Sequence, residues 1–322
     1  LKVAFSRLEL ESRSNFLCGY VLQVCPSPHL QRVSPVTYIE ALFQDVPPTV
    51  EPVPTGRSTY KVLQINDPHI DTEYTPGSVE FCTGSVMCCR QDSKAAQGTN
   101  PGSAGYWGSH SSGYCDFPLQ TFREFIRFAR ETIKPDYLMW LGDNEHLEID
   151  AVTQQYNFDI TKLIADELRQ GLPNTDIQFS VGNHEHFPVD NLDLTKLNQA
   201  REKQDWFFKD FTTAYKSLLS EEEMRFFRDR GYYSSYNKKF NMRFINLLSA
   251  PFDTYNFYMM VHEFDSNGMM RWMWETLREA EKKGEFVFIT IHIPPGGDGT
   301  YQLFDELFDA TCERRSEEHT SE

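Results

Sequence analysis

Four apolar runs in this chain each end on side chains able to hold a metal ion or move a proton. After YKVLQIN come Asp67 and His69, and after DYLMWL come Gly142, Asp143 and His146. After IQFSV the stretch SVGNHEHFP delivers Asn183 and His184, and after FVFITI comes His292, leading into IPPGGDG. Carboxylate and imidazole suit zinc and other first-row divalent ions, and one carboxylate can bridge two ions about 3.5–4 Å apart. An asparagine amide oxygen is a neutral ligand and leaves such a pair more Lewis acidic. Two cations would bring the pKa of a shared solvent molecule to about 7 or below and aim it in line at phosphorus. Taken singly, each residue has a plainer reading. Asp67-Pro68 starts a turn, Asp143 caps a helix, and Gly-Asn after a strand is ordinary turn chemistry. Occurring together, each at a strand end, they argue for one shared site. His29, His110, His262 and His319 sit in no such context and read as surface or core residues, while His186 fits either description.

The elements that must position these residues are legible from periodicity. Strands are expected at 60–66, 136–141, 177–181, 242–249 and 286–291, and helices near 118–134, 153–170, 205–219 and 266–283. In LQTFREFIRFARETIK the apolar Leu119, Phe122, Ile126 and Ala129 recur at three to four residues, the mark of a half-buried helix. Alternating strands and helices predict an α/β domain, in which ligands gather at the carboxyl ends of the strands. With 322 residues the chain can hold one large domain of this kind plus something small. Other chemistries lack their signatures. There is no G-x-S-x-G elbow, H-E-x-x-H helix, Walker loop or G-x-G-x-x-G after a strand.

Charge and cysteine usage narrow the setting. The formal charge is 31 − 47 = −16, without a Lys/Arg cluster, which argues against nucleic acid as a partner. No run of about 18 apolar residues is present to span a membrane. Seven cysteines stand at 18, 25, 82, 88, 89, 115 and 312, and four of them crowd into a Gly/Ser-rich segment. With little apolar content to hold such a loop, cross-links are the economical explanation, and they imply an oxidising compartment. Zinc is the competing reading, although adjacent Cys88 and Cys89 lack the usual C-x₂₋₄-C spacing.

The set DPH, GDNEH, GNHE and HIPPG resembles the calcineurin-like metallophosphoesterases over about residues 60–314. The CC and GYWG of the cysteine loop and the GNHEHFPVD continuation are similar to the acid sphingomyelinase branch of that family. The resemblance implies an α/β (α+β) metallophosphoesterase fold, a β-sandwich flanked by helices. It also implies two Zn²⁺ ions, Asp67 and His69 holding one, Asn183 and His292 the other, with Asp143 bridging. His184 would be the general acid that protonates the ceramide oxygen as phosphocholine leaves, His146 would help position the phosphate, and Cys82–Cys88 and Cys89–Cys115 would be bridges. By the same resemblance the intact protein hydrolyses sphingomyelin of membranes or lipoproteins to ceramide and phosphocholine, in a lysosome or after secretion. The alternative within the family is a phosphodiesterase acting on nucleotides or other phosphate esters.

Residues 1–25, with SNFLCGYVLQVC, are similar to the end of the saposin-like domain that gives such enzymes peripheral contact with a membrane. Residues 26–57 carry Pro26, Pro28, Pro35, Pro47, Pro48, Pro52 and Pro54, which reads as a semi-rigid linker. Residues 58–314 would be the catalytic domain, truncated, and RSEEHTSE at 315–322 reads as a translated sequencing adapter. Three departures from the family stand out. His146 follows Asp143 by three residues where the family uses four, no N-x-S/T sequon occurs, and the Gly-His-x-His that adds a ligand to each ion would fall past Glu322. The expectation is a chain short at both ends, inactive as a fragment.

Overall fold

The computed structural model describes residues 59–311 apart from 85–86, 99, 110–114, 195–205, 262–264, 266, 297–299, 301–303, 306–307 and 310. The saposin-like stretch at 1–25, the linker and the tail at 315–322 lie outside the described residues, as do Cys18, Cys25, Cys312, His29, His110, His262 and His319. The chain divides into two compact units. One comprises Tyr60–Val189 and Trp206–Arg228, the other Asp190–Asp205 and Asp229–Glu322 together with the first 59 residues.

The first unit is built on a parallel sheet of three strands, β1 (Val62–Ile65), β4 (Tyr137–Trp140) and β5 (Asp176–Phe179), in the order β1-β4-β5. Register pairs Ile65 with Trp140 and Trp140 with Phe179, so the three strands end level with one another. All four residues of β4 (YLMW) are buried, as a central parallel strand covered on both faces requires. β2 (Ile70–Asp71), just beyond β1 in sequence, forms a short parallel pair with the distant β3 (Phe117–Pro118). Two helices pack together here, α1 (Leu119–Phe128) and α2 (Gln154–Gly171). Phe122 and Ile126 are the buried stripe of α1, as their spacing predicts. Residues 129–133 continue α1 as a π-helical turn, and the helix closes on Lys134 in the left-handed region.

The helix expected at 205–219 is shorter and broken. It forms α3 (Trp206–Lys209) and then a 3₁₀ turn, Phe211–Tyr215, whose aromatic rings reach under β4 and β5. Tyr215 stacks on Phe179 at 3.9 Å between ring centres and leans on Trp140 at 5.5 Å. Helix α4 (Glu221–Arg230), which periodicity missed, contributes Phe227 to the same cluster. Its acidic first turn and single buried apolar residue explain why no stripe was visible.

The second unit carries its own three-stranded sheet, β6 (Tyr233–Asn237), β7 (Met242–Asn246) and β8 (Phe286–Thr290), antiparallel between the first pair and parallel between the second. Helix α5 (Met269–Lys283) is the crossover between β7 and β8 and buries Met269, Met270, Met273, Leu277 and Ala280. β6 was not anticipated, because YSSYN offers no apolar alternation. Mixed helices and sheets of this kind are the α/β class that the sequence predicts.

The cysteine-rich segment settles as two disulfides, Cys82–Cys88 and Cys89–Cys115, which is the pairing that the family resemblance implied. Arg90, next in sequence to Cys89, donates to Asp71 Oδ2 at 2.9 Å and to Glu148 Oε2 at 2.6 Å. The cross-linked loop is thereby tied to β2 and to the loop that follows β4. Among the described residues no helix is long and apolar enough to cross a membrane.

Candidate metal centre

The carboxyl ends of β1, β4 and β5 turn on unusual backbone. Asp67, His69 and Asp143 all have positive φ, at 48°, 36° and 59°, a region that side chains with a Cβ rarely enter. Three such residues at one sheet edge mark a place where side-chain placement outweighs backbone comfort, at about 1 kcal/mol or more each. Two glycines allow the loops to meet. A Cβ on Gly142, itself at φ 89°, would fall on the backbone nitrogen of Gly182, and a Cβ on Gly182 would fall on the Asp143 carboxylate. Any side chain there would push the loop after β4 away from the loop after β5.

Glu185 then ties the two loops together. Its Oε2 accepts from Gly182 N at 2.6 Å and Asp143 N at 3.0 Å, and its Oε1 accepts from Asn144 N at 2.8 Å. From behind, Trp140 Nε1 donates to Asn144 Oδ1, and α2 supplies two buried polar residues. Thr161 accepts from the Asn144 amide, and Asn157 donates to the His184 carbonyl at 2.9 Å. These supports escape a search for ligand chemistry. Asn157 and Thr161 sit four residues apart on the buried face of an otherwise amphipathic helix, which is the one sequence signal they leave.

The ligand-type atoms converge on Asp143. His69 Nε2 lies 3.7 Å and His184 Nε2 3.9 Å from Asp143 Oδ2, and Asp67 Oδ1 is 3.8 Å from His69 Nε2. One donor atom each from His69, Asp143 and His184 falls within 4.8 Å of the others, a group that could hold an ion. These separations are too long for hydrogen bonds. They are close to the span between neighbouring ligands of a zinc ion, about 3.3–3.5 Å for bonds of about 2.0–2.1 Å in tetrahedral geometry. The outer contact of His69 fits as well, since its Nδ1–H donates to the Glu145 carbonyl at 2.8 Å and leaves Nε2 as the ligand atom. The donor set therefore suits a divalent ion of the zinc type.

Asn183 follows β5 next to His184. His292 is buried at the carboxyl end of β8 and belongs to the second unit. His146 is buried against the Tyr156 ring, its Nδ1 accepting from Glu148 N at 3.2 Å. Burial and then Arg90 lower its pKa, against the pull of Asp71 and Glu148. His186 is wholly buried with its ring edge-on to Phe207.

Glu145 was missed. It is wholly buried, and its Oε1 stands 3.7 Å from His184 Nδ1. Burial, then the Glu185 carboxylate, and to a lesser degree Asp143, push its pKa well above the usual carboxylate range. A carboxyl that is raised in the folded state stabilises fully below its unfolded pKa of about 4.3, and that contribution is lost as pH rises through the folded value. In chelator, the melting temperature of the protein is therefore expected to fall between pH 5 and pH 7.5 more steeply than that of Glu145→Gln. His146 contributes with the opposite sign and is common to both proteins. Differential scanning fluorimetry of the pair checks this, and parallel slopes would refute it.

Residues 60–316 match the calcineurin-like phosphoesterase family, and the chain belongs to it. It is similar to sphingomyelin phosphodiesterase 2 of Caenorhabditis elegans, 29% identical over 77% of this chain and 43% of that protein. Sphingomyelin phosphodiesterase A of Dictyostelium discoideum is 31% identical over 72% of this chain and 37% of its own length. The sphingomyelin phosphodiesterase of Homo sapiens is 29% identical over 73% and 36%. The chain spans about half or less of the length of the curated relatives it matches.

Proposed function

We propose that the protein carrying this chain hydrolyses sphingomyelin to ceramide and phosphocholine at a pair of zinc ions, in a lysosome or outside the cell. One observation supports this above the others: His69 is held by the Glu145 carbonyl so that its Nε2 joins Asp67 and Asp143 at ligand-like spacing. In this reading Asp67 and His69 hold one ion, Asn183 and His292 the other, and Asp143 serves both. The ions would supply Lewis acidity toward the phosphoryl oxygens and a nucleophile at acid to neutral pH.

The chain's own residues supply the rest. Glu185 fixes the Asp143 backbone through the hydrogen bonds described above, and Asn157 fixes the peptide of His184. His184 presents an imidazole beside the ion group, with Nδ1 toward the buried Glu145 and Nε2 toward Asp143. In its protonated form this imidazole can hand its proton to the departing ceramide oxygen. His146 would help position the phosphate. Peripheral membrane contact through a saposin-like domain belongs to the same reading, drawn from the pattern of residues 1–25.

Turnover of sphingomyelin in mixed micelles near pH 5 tests the proposal, before and after chelation and on return of zinc. The expected result is a loss of about 10²-fold or more on chelation, reversed by zinc. Unchanged turnover without zinc refutes the mechanism. Hydrolysis of nucleotide diesters in preference to sphingomyelin refutes the substrate.

A further inference from the structure

In the first unit, four large apolar side chains face water on segments tied to the same six residues, 116–121. Tyr106 and Trp107 are 59% and 55% exposed, and their rings meet edge to face at 4.7 Å. They are held on a docked loop, because Gln120 donates to the Tyr106 carbonyl at 3.2 Å and the Thr121 hydroxyl to the Trp107 carbonyl at 2.8 Å. Phe117, 38% exposed, donates its backbone N–H to the carbonyl of His69. Leu147, 44% exposed, donates its own to the Asp116 carboxylate at 2.6 Å. Water around such a cluster is unfavourable, and rigidly held exposed aromatics mark contact surfaces.

A groove of about 320 Å³ adjoins this patch and reaches Asp67. Phe117 belongs to both, Ile65, Phe122 and Phe125 form apolar walls, and Asp67 lines it as well. Whatever fills the groove therefore abuts Asp67, a residue of the candidate metal centre. That arrangement suits an amphiphile whose phosphate is the reacting group. Charge selects among lipid surfaces: at pH 7 the formal charge of −16 disfavours anionic headgroups, and tyrosine and tryptophan favour the headgroup level of a neutral bilayer.

We propose that Tyr106, Trp107, Phe117 and Leu147 form a rim by which this unit rests directly on a zwitterionic phospholipid surface, the groove beside Asp67 receiving hydrocarbon of the lipid. The second clause rests on the function proposed above; the surface contact does not. Vesicles of phosphatidylcholine with sphingomyelin, a portion of the lipid brominated, supply the test. The protein is expected to float with them, with tryptophan quenching that disappears in Trp107→Ala. The Tyr106→Ala/Trp107→Ala variant is expected to lower the partition coefficient by about tenfold or more for each ring removed. Its melting temperature and its turnover of a water-soluble phosphodiester are expected to stay unchanged, since both rings face solvent. Equal binding by the variant, binding to anionic vesicles alone, or no binding at all would overturn the proposal. So would a change in self-association on gel filtration without a change in lipid binding, which would make the rim a contact between copies. Vesicle binding that persists without any chelator-sensitive turnover would sink the proposed function and leave the surface standing.

Discussion

Asp143→Asn is expected to abolish retention of divalent ions and to lower phosphodiester turnover by about 10³-fold or more. Asp143 Oδ2 faces both His69 Nε2 and His184 Nε2, whose rings also meet edge to face at 4.9 Å, so one oxygen serves two neighbouring imidazoles. An asparagine preserves the volume and can present a neutral oxygen, yet it removes the negative charge that would offset a bound cation. Metal assistance supplies several kcal/mol of transition-state stabilisation, and each 1.4 kcal/mol lost is tenfold in rate. Elemental analysis after dialysis reads the first effect and single-turnover kinetics the second. The fold is expected to survive, because Asp143 Oδ1 accepts one hydrogen bond, from His184 N at 3.0 Å, that the amide oxygen can still take. Undiminished divalent-metal content in the variant would remove Asp143 from the ligand set.

Glu185→Ala is expected to act first on stability, by on the order of 4 kcal/mol. Its carboxylate satisfies three backbone N–H groups, those of Gly182, Asp143 and Asn144, in a place that water does not reach. Each orphaned donor costs about 1–3 kcal/mol. For a protein of this size that corresponds to a drop of roughly 10 °C in melting temperature. Glu185→Gln is expected to fall between the two proteins, since its amide nitrogen must face at least one of the same donors. Ion affinity should fall with stability in both variants, because Glu185 holds the loop that carries Asp143. A melting temperature within 2 °C (about 0.5–1 kcal/mol) of the parent would show that the loops meet without this carboxylate.

The parts of this centre that could be read from residue types were those in which apolar runs stop and ligand chemistry begins. Asp67, His69, Asp143 and His184 stand at the ends of β1, β4 and β5, and the level register of those strands makes neighbours of residues far apart in sequence. Four of the five expected strands were located to within two residues at each end, although β7 stops at Asn246 and leaves buried Leu247, Leu248 and Ser249 outside the ladder. What stayed hidden depended on three-dimensional support. A glutamate in a ligand-rich stretch looks like a ligand, and only the structure shows that Glu185 spends its oxygens on backbone amides. Glu145 in GDNEH could have been a solvated acid; instead it is buried behind His184. α4 and β6 were missed for the ordinary reason that tertiary packing overrode weak local patterns.

Arg90 joins the cross-linked loop to the edge of the metal centre through a single peptide step from Cys89. Until that loop closes, the acids on either side of it, Asp71 and Glu148, have no guanidinium between them, and Asp71 is wholly buried. Closure of Cys89 onto Cys115 is therefore expected to help hold Arg90 between these acids. Protein made in a reducing host would carry Asp67, His69 and Asp143 and is expected to lack the brace that sets the rim of the sheet, so recombinant preparations should be routed through an oxidising folding pathway before any assay of metal or lipid.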